Sequence, residues 1–236
     1  MKKKIVLLIS VIILTIIAFF GYRYYEKLKI EKFVLPETEV DDLIYEEPIT
    51  NLQAEYQNDD IKGVLYIENT DFSTPVVQGK DNDFYLKHLP DKSYFSGGSV
   101  FFDYRIDIES SPKTLVFGHS SQSRDYPIET IEEYENPDFY EEHKYIYLDT
   151  KEEHKKFLVI GYYIETSDWN YMQVDFKNEE DINNHYQYLL SKTFYNTGEK
   201  LNGNDKILII QTCSTNKEYK KYAKKYFLLL AKKIDN

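Results

Sequence analysis

Cys213 is the only cysteine in the 236 residues of this chain, and its surroundings indicate nucleophilic chemistry. The run 206–210 before it is short, apolar and rich in isoleucine, and a Gly-Asn-Asp turn precedes that run. We therefore predict a buried strand that ends near the cysteine. A thiol at a rigid strand end is well placed to attack a substrate, and a single cysteine with histidines elsewhere is a candidate nucleophile. A buried structural thiol is the alternative, because free cysteines are often buried.

His119 is the histidine whose position most resembles that of Cys213. It follows the apolar run Thr114–Phe117 and Gly118, and a small polar run comes after it. We therefore predict that it also lies at a strand end, where an imidazole can act as a general acid and base.

The other four histidines give no sign of catalytic chemistry. Two have charged neighbours and are predicted to face solvent, one is placed on the polar flank of a helix, and one in a loop: His143, His154, His185 and His88. No two histidines have the spacing of metal ligands, and there is no second cysteine. The sequence thus predicts neither a metal site nor a cofactor.

Composition indicates one globular domain in addition to the N-terminal apolar segment. The chain has 23 tyrosines and 14 phenylalanines but only 9 glycines, which argues against collagen-like and disordered classes. Its net charge of −11 argues against nucleic acid as a partner, because phosphate binding needs a basic surface.

The N-terminus differs in composition from the rest of the chain. Three lysines precede the uncharged run Ile5–Tyr22, which is just long enough to span a membrane and lacks a small-residue cleavage site. We predict an uncleaved anchor, although the flanking charges do not define its orientation. The expected organisation is a cytoplasmic tip and transmembrane anchor in residues 1–23, a stalk and N-terminal helix in 24–58, and a catalytic domain in 59–236.

The domain is predicted to be mainly β with a few helices. Eight short apolar runs read as strands, a number typical of a closed barrel or a sandwich: Val64–Ile67, Pro75–Gln78, Ser99–Phe102, Thr114–Phe117, Tyr145–Leu148, Phe157–Ile164, Lys206–Ile210 and Tyr226–Leu230. Helices are predicted where apolar residues recur at helical spacing, around Ile49–Tyr56, at Pro127–Tyr134 and at Glu179–Ser191.

Five ordered sequence blocks after the apolar segment resemble class B sortases. The resemblance spans roughly Asp60 to the C-terminus, and the blocks are Tyr66–Leu86, Gly98–Arg105, Val116–Ser120, Ser167–Tyr171 and Gln211–Cys213. The resemblance implies an eight-stranded sortase-type β-barrel with an N-terminal helical extension and a helix before the cysteine strand. It also implies a single-pass protein in the cell membrane whose catalytic domain is extracellular.

The resemblance further implies a transpeptidase. Such an enzyme cuts the sorting-signal peptide of a secreted protein and passes the acyl group to an amine of peptidoglycan or of a pilin. By position, Cys213 would form the thioacyl intermediate and His119 would serve as general acid and base. Residues Asn82, Ser167, Tyr171 and Thr212 would contribute to the substrate groove, although Asn82 is equally suited to a turn.

The chain departs from the family pattern at the arginine expected on the strand after the cysteine. No arginine follows Cys213, and alignment of the last strand puts Tyr226 at that position, with Lys224 and Lys225 just before it. Arg105 lies in another family block and is interpreted as a structural ion-pairing residue. Two alternatives stay open, a degenerate sortase that binds peptide with little turnover and a thiol-dependent hydrolase of cell-wall peptides.

Overall fold

The computed structural model describes residues 2–33, 46–120, 127–195 and 197–235. They belong to two compact units, with the division after Val34. Part of the predicted stalk, 34–45, lies outside the described residues, as does Arg124. The borders proposed for the anchor, the stalk and the catalytic domain stay a prediction.

The first unit is one long helix, α1, at Lys2–Glu31. Its segment Leu7–Glu31 has a mean hydropathy of 2.0 in its most apolar window, and that window is fully exposed. By length and composition this segment is able to cross a membrane, although a signal sequence would satisfy the same criteria. The helix continues well past Tyr22, beyond the predicted end of the apolar segment.

The second unit contains a closed barrel of eight strands in the order β1-β2-β3-β4-β7-β8-β6-β5. β2 pairs with β3 and β4 with β7 in parallel, and the other neighbours are antiparallel. The strands are β1 Ile61–Ile67, β2 Ser73–Val77, β3 Val100–Phe102, β4 Lys113–Phe117, β5 Tyr145–Thr150, β6 His154–Glu165, β7 Ile207–Cys213 and β8 Tyr226–Ile234.

All eight predicted strands and the barrel are confirmed. β-Branched and aromatic side chains fill the interior, as expected for runs that pack well on a pleated surface. In β7 the four residues from Ile207 to Ile210 are all buried, so both faces of the strand are covered there. Alternation resumes only near the strand end, where Thr212 is buried and Cys213 is exposed.

The predicted helices are present as well. They are α2 at Glu46–Tyr56, a 3-10 helix at Pro127–Glu135, and α4 at Glu179–Ser191, while α3 at Pro137–Glu142 was not predicted. Asn178 caps α4 by accepting a hydrogen bond from the backbone N–H of Asp181, and the three acidic residues of the first turn favour the positive end of the helix dipole. α4 precedes the cysteine strand, as the family resemblance implies.

The solvent exposure predicted for His143 and His154 is wrong, and His185, predicted on the polar flank of a helix, is buried. His154 is buried and hydrogen-bonds Asp149, its cross-strand partner, at 2.5 Å. The ring of His143 contacts the carbonyl of Glu68 at 2.8 Å, and His185 is only 4% exposed. The charged neighbours in the sequence were a misleading signal of exposure. Strand pairing and helix packing bring each ring against a polar partner.

Candidate active site

His119 and Cys213 lie at the ends of two neighbouring parallel strands, β4 and β7. Phe117 is paired with Gln211, and the backbone N–H of Gly118 donates to the carbonyl of Gln211 at 3.1 Å. Two positions further along each chain, His119 and Cys213 lie at the same edge of the barrel. The juxtaposition is the one that proton exchange between an imidazole and a thiol requires.

The thiol of Cys213 is accessible from solvent but is not pre-ionised. The residue is exposed, yet the surrounding protein partly desolvates the sulfur. This desolvation, followed by the negative charge of Glu132, raises the pKa of Cys213, while the ammonium of Lys225 lowers it. The net shift is upward, so the thiol is mostly protonated near neutral pH.

The pKa of His119 is lowered, whereas that of Cys213 is raised. Partial burial lowers the pKa of its imidazole, and a hydrogen bond to the backbone of Leu86 opposes that change. Leu86 ends the 3-10 helix Phe84–Leu86, so a second loop supports the ring. Both shifts favour the uncharged forms, the thiol of Cys213 and the neutral imidazole of His119.

Tyr226 is the cross-strand partner of Cys213 in the β7–β8 ladder. Directly opposed residues point to the same face of a sheet, with Cβ atoms about 5 Å apart. The ring is half-buried and packs edge-on against Trp169 at 5.4 Å between centroids. Burial and then the nearby Cys213 raise the pKa of Tyr226, so its phenol stays protonated and available as a hydrogen-bond donor.

The two lysines before Tyr226 differ in their surroundings. Lys225 donates a hydrogen bond from Nζ to the carbonyl of Asn216 at 3.1 Å, which keeps its charge near the cysteine loop. Lys224 is exposed, and its Nζ lies 5.9 Å from the centre of the Trp169 ring. Of the two cations, only Lys225 lies close enough to influence the pKa of Cys213.

Two of the residues predicted in the substrate groove are buried. Thr212 is fully buried and donates from Oγ1 to the carbonyl of Gly118 at 3.0 Å. Tyr171 is 2% exposed, and its phenol donates to Oε1 of Gln211 at 2.8 Å. Both side chains support the strand ends that carry His119 and Cys213, and in this conformation neither presents a surface to a ligand.

The other two proposed groove residues differ from each other. Ser167 is exposed in the loop after β6, where its backbone N–H donates to Glu165. Asn82 is engaged at both ends of its amide: Nδ2 donates to Asp103 at 3.2 Å, and Oδ1 accepts from the backbone of Tyr104 at 3.1 Å. Asn82 therefore supports a loop in this structure, which matches the turn role that the sequence left open.

Arg105 belongs to that same loop and forms a structural ion pair. Its Nε and NH2 atoms donate to the two carboxylate oxygens of the buried Asp103 at 2.9 and 2.7 Å, and NH2 also donates to the carbonyl of Met172 at 3.0 Å. Although burial alone would raise the pKa of Asp103, its bonds with Arg105 and Asn82 hold that pKa below its usual value. This bidentate pair occupies Arg105, so it does not replace the missing arginine at Tyr226.

A buried lysine that the sequence did not single out supports the loop of Tyr171. Lys113, at the start of β4, is 1% exposed, and its Nζ donates to the carbonyl of Tyr171 at 2.7 Å. The same nitrogen lies 3.0 Å from Nε2 of His185. Burial lowers the pKa of Lys113 to about 7, and burial followed by the charge of Lys113 lowers the pKa of His185 to about 3.

Glu132 is a second polar residue that the sequence did not single out, and it lies between the two strand ends. Its Oε2 accepts from Oγ of Ser120 at 3.0 Å, and its Oε1 accepts from the backbone N–H of Thr215 at 2.6 Å. One carboxylate thus contacts both the residue after His119 and the loop after Cys213. The three-residue spacing of Ile128, Ile131 and Tyr134 was the available signal, because it predicts one buried helix face with Glu132 beside it.

No family model matches the chain, but relatives and solved structures do. It is 29% identical over 165 residues to Sortase B of Listeria monocytogenes, covering 70% of this chain and 67% of that protein. It is 27% identical over 230 residues to Sortase B of Staphylococcus aureus, covering 89% and 90%.

The barrel also resembles solved sortase structures. A crystal structure of a cysteine-to-serine mutant of Clostridium perfringens sortase B superposes with a TM-score of 0.72 at 29% identity, covering 80% of this chain and 87% of that one. Sequence and fold point to the same family over most of the length of the chain. These relatives and solved structures together support a class B sortase, a family of cysteine transpeptidases.

Proposed function

We propose that Cys213 and His119 are the reacting pair of a membrane-anchored transpeptidase that cleaves a sorting signal and transfers the acyl group to a cell-wall or pilin amine. The observation that supports this proposal is the pairing of the parallel strands β4 and β7, whose register puts His119 and Cys213 at neighbouring strand ends. The exposed position of Cys213 leaves the sulfur open to an extended peptide.

In the first step His119 takes the proton of Cys213, and the thiolate attacks the scissile carbonyl carbon. The carbonyl electrons move to oxygen and give a tetrahedral oxyanion. When the oxyanion collapses, the C–N bond breaks and the leaving amine takes the proton from the imidazolium. The products are a thioacyl enzyme and a free amine.

In the second step the acceptor amine attacks the thioester carbonyl and gives its proton to the neutral imidazole of His119. Collapse expels the thiolate of Cys213, and the imidazolium returns the proton to it. The low pKa of His119 suits this step, because the neutral base is the abundant form near neutral pH. Water at the same position would give hydrolysis instead.

The anchor and the location form a finer part of the proposal. We infer that α1 crosses the cell membrane once and that the barrel works on the outer side, where sorting signals and cell-wall amines meet. The length and hydropathy of Leu7–Glu31 support a span. The outward orientation rests on the family, since the charges that flank the helix are similar on both sides.

The decisive experiment separates transfer from hydrolysis and from binding alone. The full-length chain in detergent is incubated with sorting-signal peptides, with and without a glycine-based amine, and the products are identified by mass spectrometry. We expect a covalent adduct on Cys213 that resolves into an amine-linked peptide. An adduct that yields only free acid would point to a hydrolase, and no adduct with any peptide would point to a degenerate sortase.

Tyr226 is proposed as the oxyanion donor in place of the missing arginine. Tyr226→Phe keeps the ring that packs on Trp169 and removes only the phenolic hydroxyl. We expect kcat to fall by about 10²- to 10³-fold, the usual effect of losing one oxyanion donor, while KM changes little. Steady-state kinetics of amine-linked product formation measures the effect.

Lys225→Met provides the comparison for Tyr226. It removes the cation that lowers the pKa of Cys213 and leaves the phenol in place. If Lys225 were the oxyanion donor, Lys225→Met would show the large loss in kcat and Tyr226→Phe would retain the rate of the parent enzyme. That reversal would reject the role proposed for Tyr226.

A further inference from the structure

Glu132 connects two loops at the proposed site. The His119 loop follows β4 and contains His119, and the Cys213 loop follows Cys213 at the end of β7. Within the described residues its carboxylate accepts from Ser120, the neighbour of His119, and from the backbone N–H of Thr215, two residues after Cys213. Each oxygen serves a different loop, so the carboxylate bridges them. We call this three-residue contact of Ser120, Glu132 and Thr215 the carboxylate bridge.

The 3-10 helix Pro127–Glu135 fixes the position of Glu132. Ile128, Ile131 and Tyr134 are each at most 1% exposed and belong to the barrel core, so this helix is anchored along one face. Ile128 also packs on Gly118, where a Cβ atom would lie only 3.0 Å from its side chain. The helix that carries Glu132 therefore contacts the backbone directly before His119, and the carboxylate is held by packing as well as by hydrogen bonds.

At the strand ends the sheet itself joins the two chains. The ladder closes with the bond from Thr212 to the carbonyl of Gly118. Ser120 and Thr215 lie beyond the last residues of β4 and β7, and the carboxylate bridge adds a contact between the two chains there. A misplacement of about 1 Å between reacting groups is able to cost 10²-fold in rate.

We propose that Glu132 is a positioning residue for the transpeptidation, whose carboxylate bridge holds the His119 loop against the Cys213 loop. This inference rests on the proposed function, because it assumes that these two residues react. Glu132 does not touch substrate in the proposal. It acts through Ser120 and Thr215.

The negative charge of the carboxylate bridge raises the pKa of the Cys213 thiol, which makes the proposal testable. The charged and titratable groups around the thiol and the bridge are Glu132, Glu135, Glu218, Lys225, His119, Tyr171 and Tyr226. After burial, the charge of Glu132 is the next cause that raises the pKa of Cys213. Loss of Glu132 should therefore make the thiol more reactive while it disturbs the geometry of the pair.

The test measures both properties in the full-length chain. Because Cys213 is the only cysteine, the rate of alkylation by iodoacetamide as a function of pH reports its ionisation alone. In Glu132→Ala we expect the alkylation midpoint to move to lower pH, while kcat/KM for peptide transfer falls by about 10- to 100-fold. A merely structural defect would lower activity without moving the midpoint downward.

Two further variants separate charge from geometry. Glu132→Gln keeps an oxygen for Thr215 and an amide group that donates to Ser120, so we expect the lower midpoint with most of the activity retained. Glu133→Gln removes an equal charge from an exposed neighbour on the same helix and should change neither property.

Unchanged kcat/KM in Glu132→Ala, or loss of activity with an unmoved midpoint, would overturn the proposal. If Cys213→Ala retained transfer activity, the proposed function itself would fail. The alkylation result for Glu132 would still stand as a property of the thiol, so the two failures are distinguishable.

Discussion

Replacing Cys213 by alanine is expected to abolish the thioacyl adduct and to lower amine-linked product formation by on the order of 10⁴-fold or more. The reason is that the chain has no other thiol, so no second residue is able to form the same intermediate. Because β7 ends at this exposed position, the smaller side chain leaves no core cavity. We therefore expect the melting temperature of the variant to match that of the parent.

The measurement is intact-protein mass spectrometry together with steady-state kinetics, and peptide binding is followed separately. The variant should still bind a sorting-signal peptide, since the proposed groove residue Ser167 is unchanged. Retained transfer activity would exclude Cys213 as the nucleophile. Loss of binding together with activity would show that the substitution disturbs the groove and would require Cys213→Ser instead.

Most of the barrel was predictable because its strands are short apolar runs bounded by turn residues. β4 is buried along its whole length, and β7 is buried from Ile207 to Ile210. Helix α4 was equally clear, since its acidic first turn and its apolar stripe agree on one helix and one buried face. In each case local preference and burial favour the same structure.

Which strands become neighbours was not predictable from these patterns. β4 and β7 are far apart in the sequence, and only the closed order of the barrel brings their ends together. The family resemblance supplied the pairing of His119 with Cys213, and periodicity alone would have left both residues at unrelated strand ends. Long-range pairing depends on the packing of the whole barrel, which a local window does not contain.

The direction in which individual polar side chains point could not be predicted from the sequence either. Glu132 lies in an acidic stretch whose composition suggests a solvated surface, but the burial of Ile131 and Tyr134 turns it towards Ser120 and Thr215. Thr212 and Tyr171 show the reverse. The family blocks suggested that they line the groove, yet hydrogen bonds draw them into the interior.

Replacing His119 by alanine is expected to lower kcat/KM by about 10²- to 10⁴-fold, the usual contribution of a general acid and base. The shape of the pH profile should change as well. In the parent enzyme the active form holds one proton between Cys213 and His119, so activity rises as the imidazolium is lost and falls as the thiol ionises. Burial lowers the pKa of His119, and burial together with the charge of Glu132 raises the pKa of Cys213. We therefore expect a broad, bell-shaped dependence of activity on pH.

Without the imidazole, activity depends on the thiolate alone and should rise with pH through the pKa of Cys213, with no alkaline decline. Added imidazole should restore part of the rate, because the vacated space at the strand end is open to solvent on one side. If His119→Ala kept the bell-shaped pH profile of the parent enzyme, the proton transfer would belong to another group. Since burial leaves the resting thiol and imidazole mostly neutral, the reactive ion pair is scarce at every pH, and we expect slow turnover even in the parent enzyme.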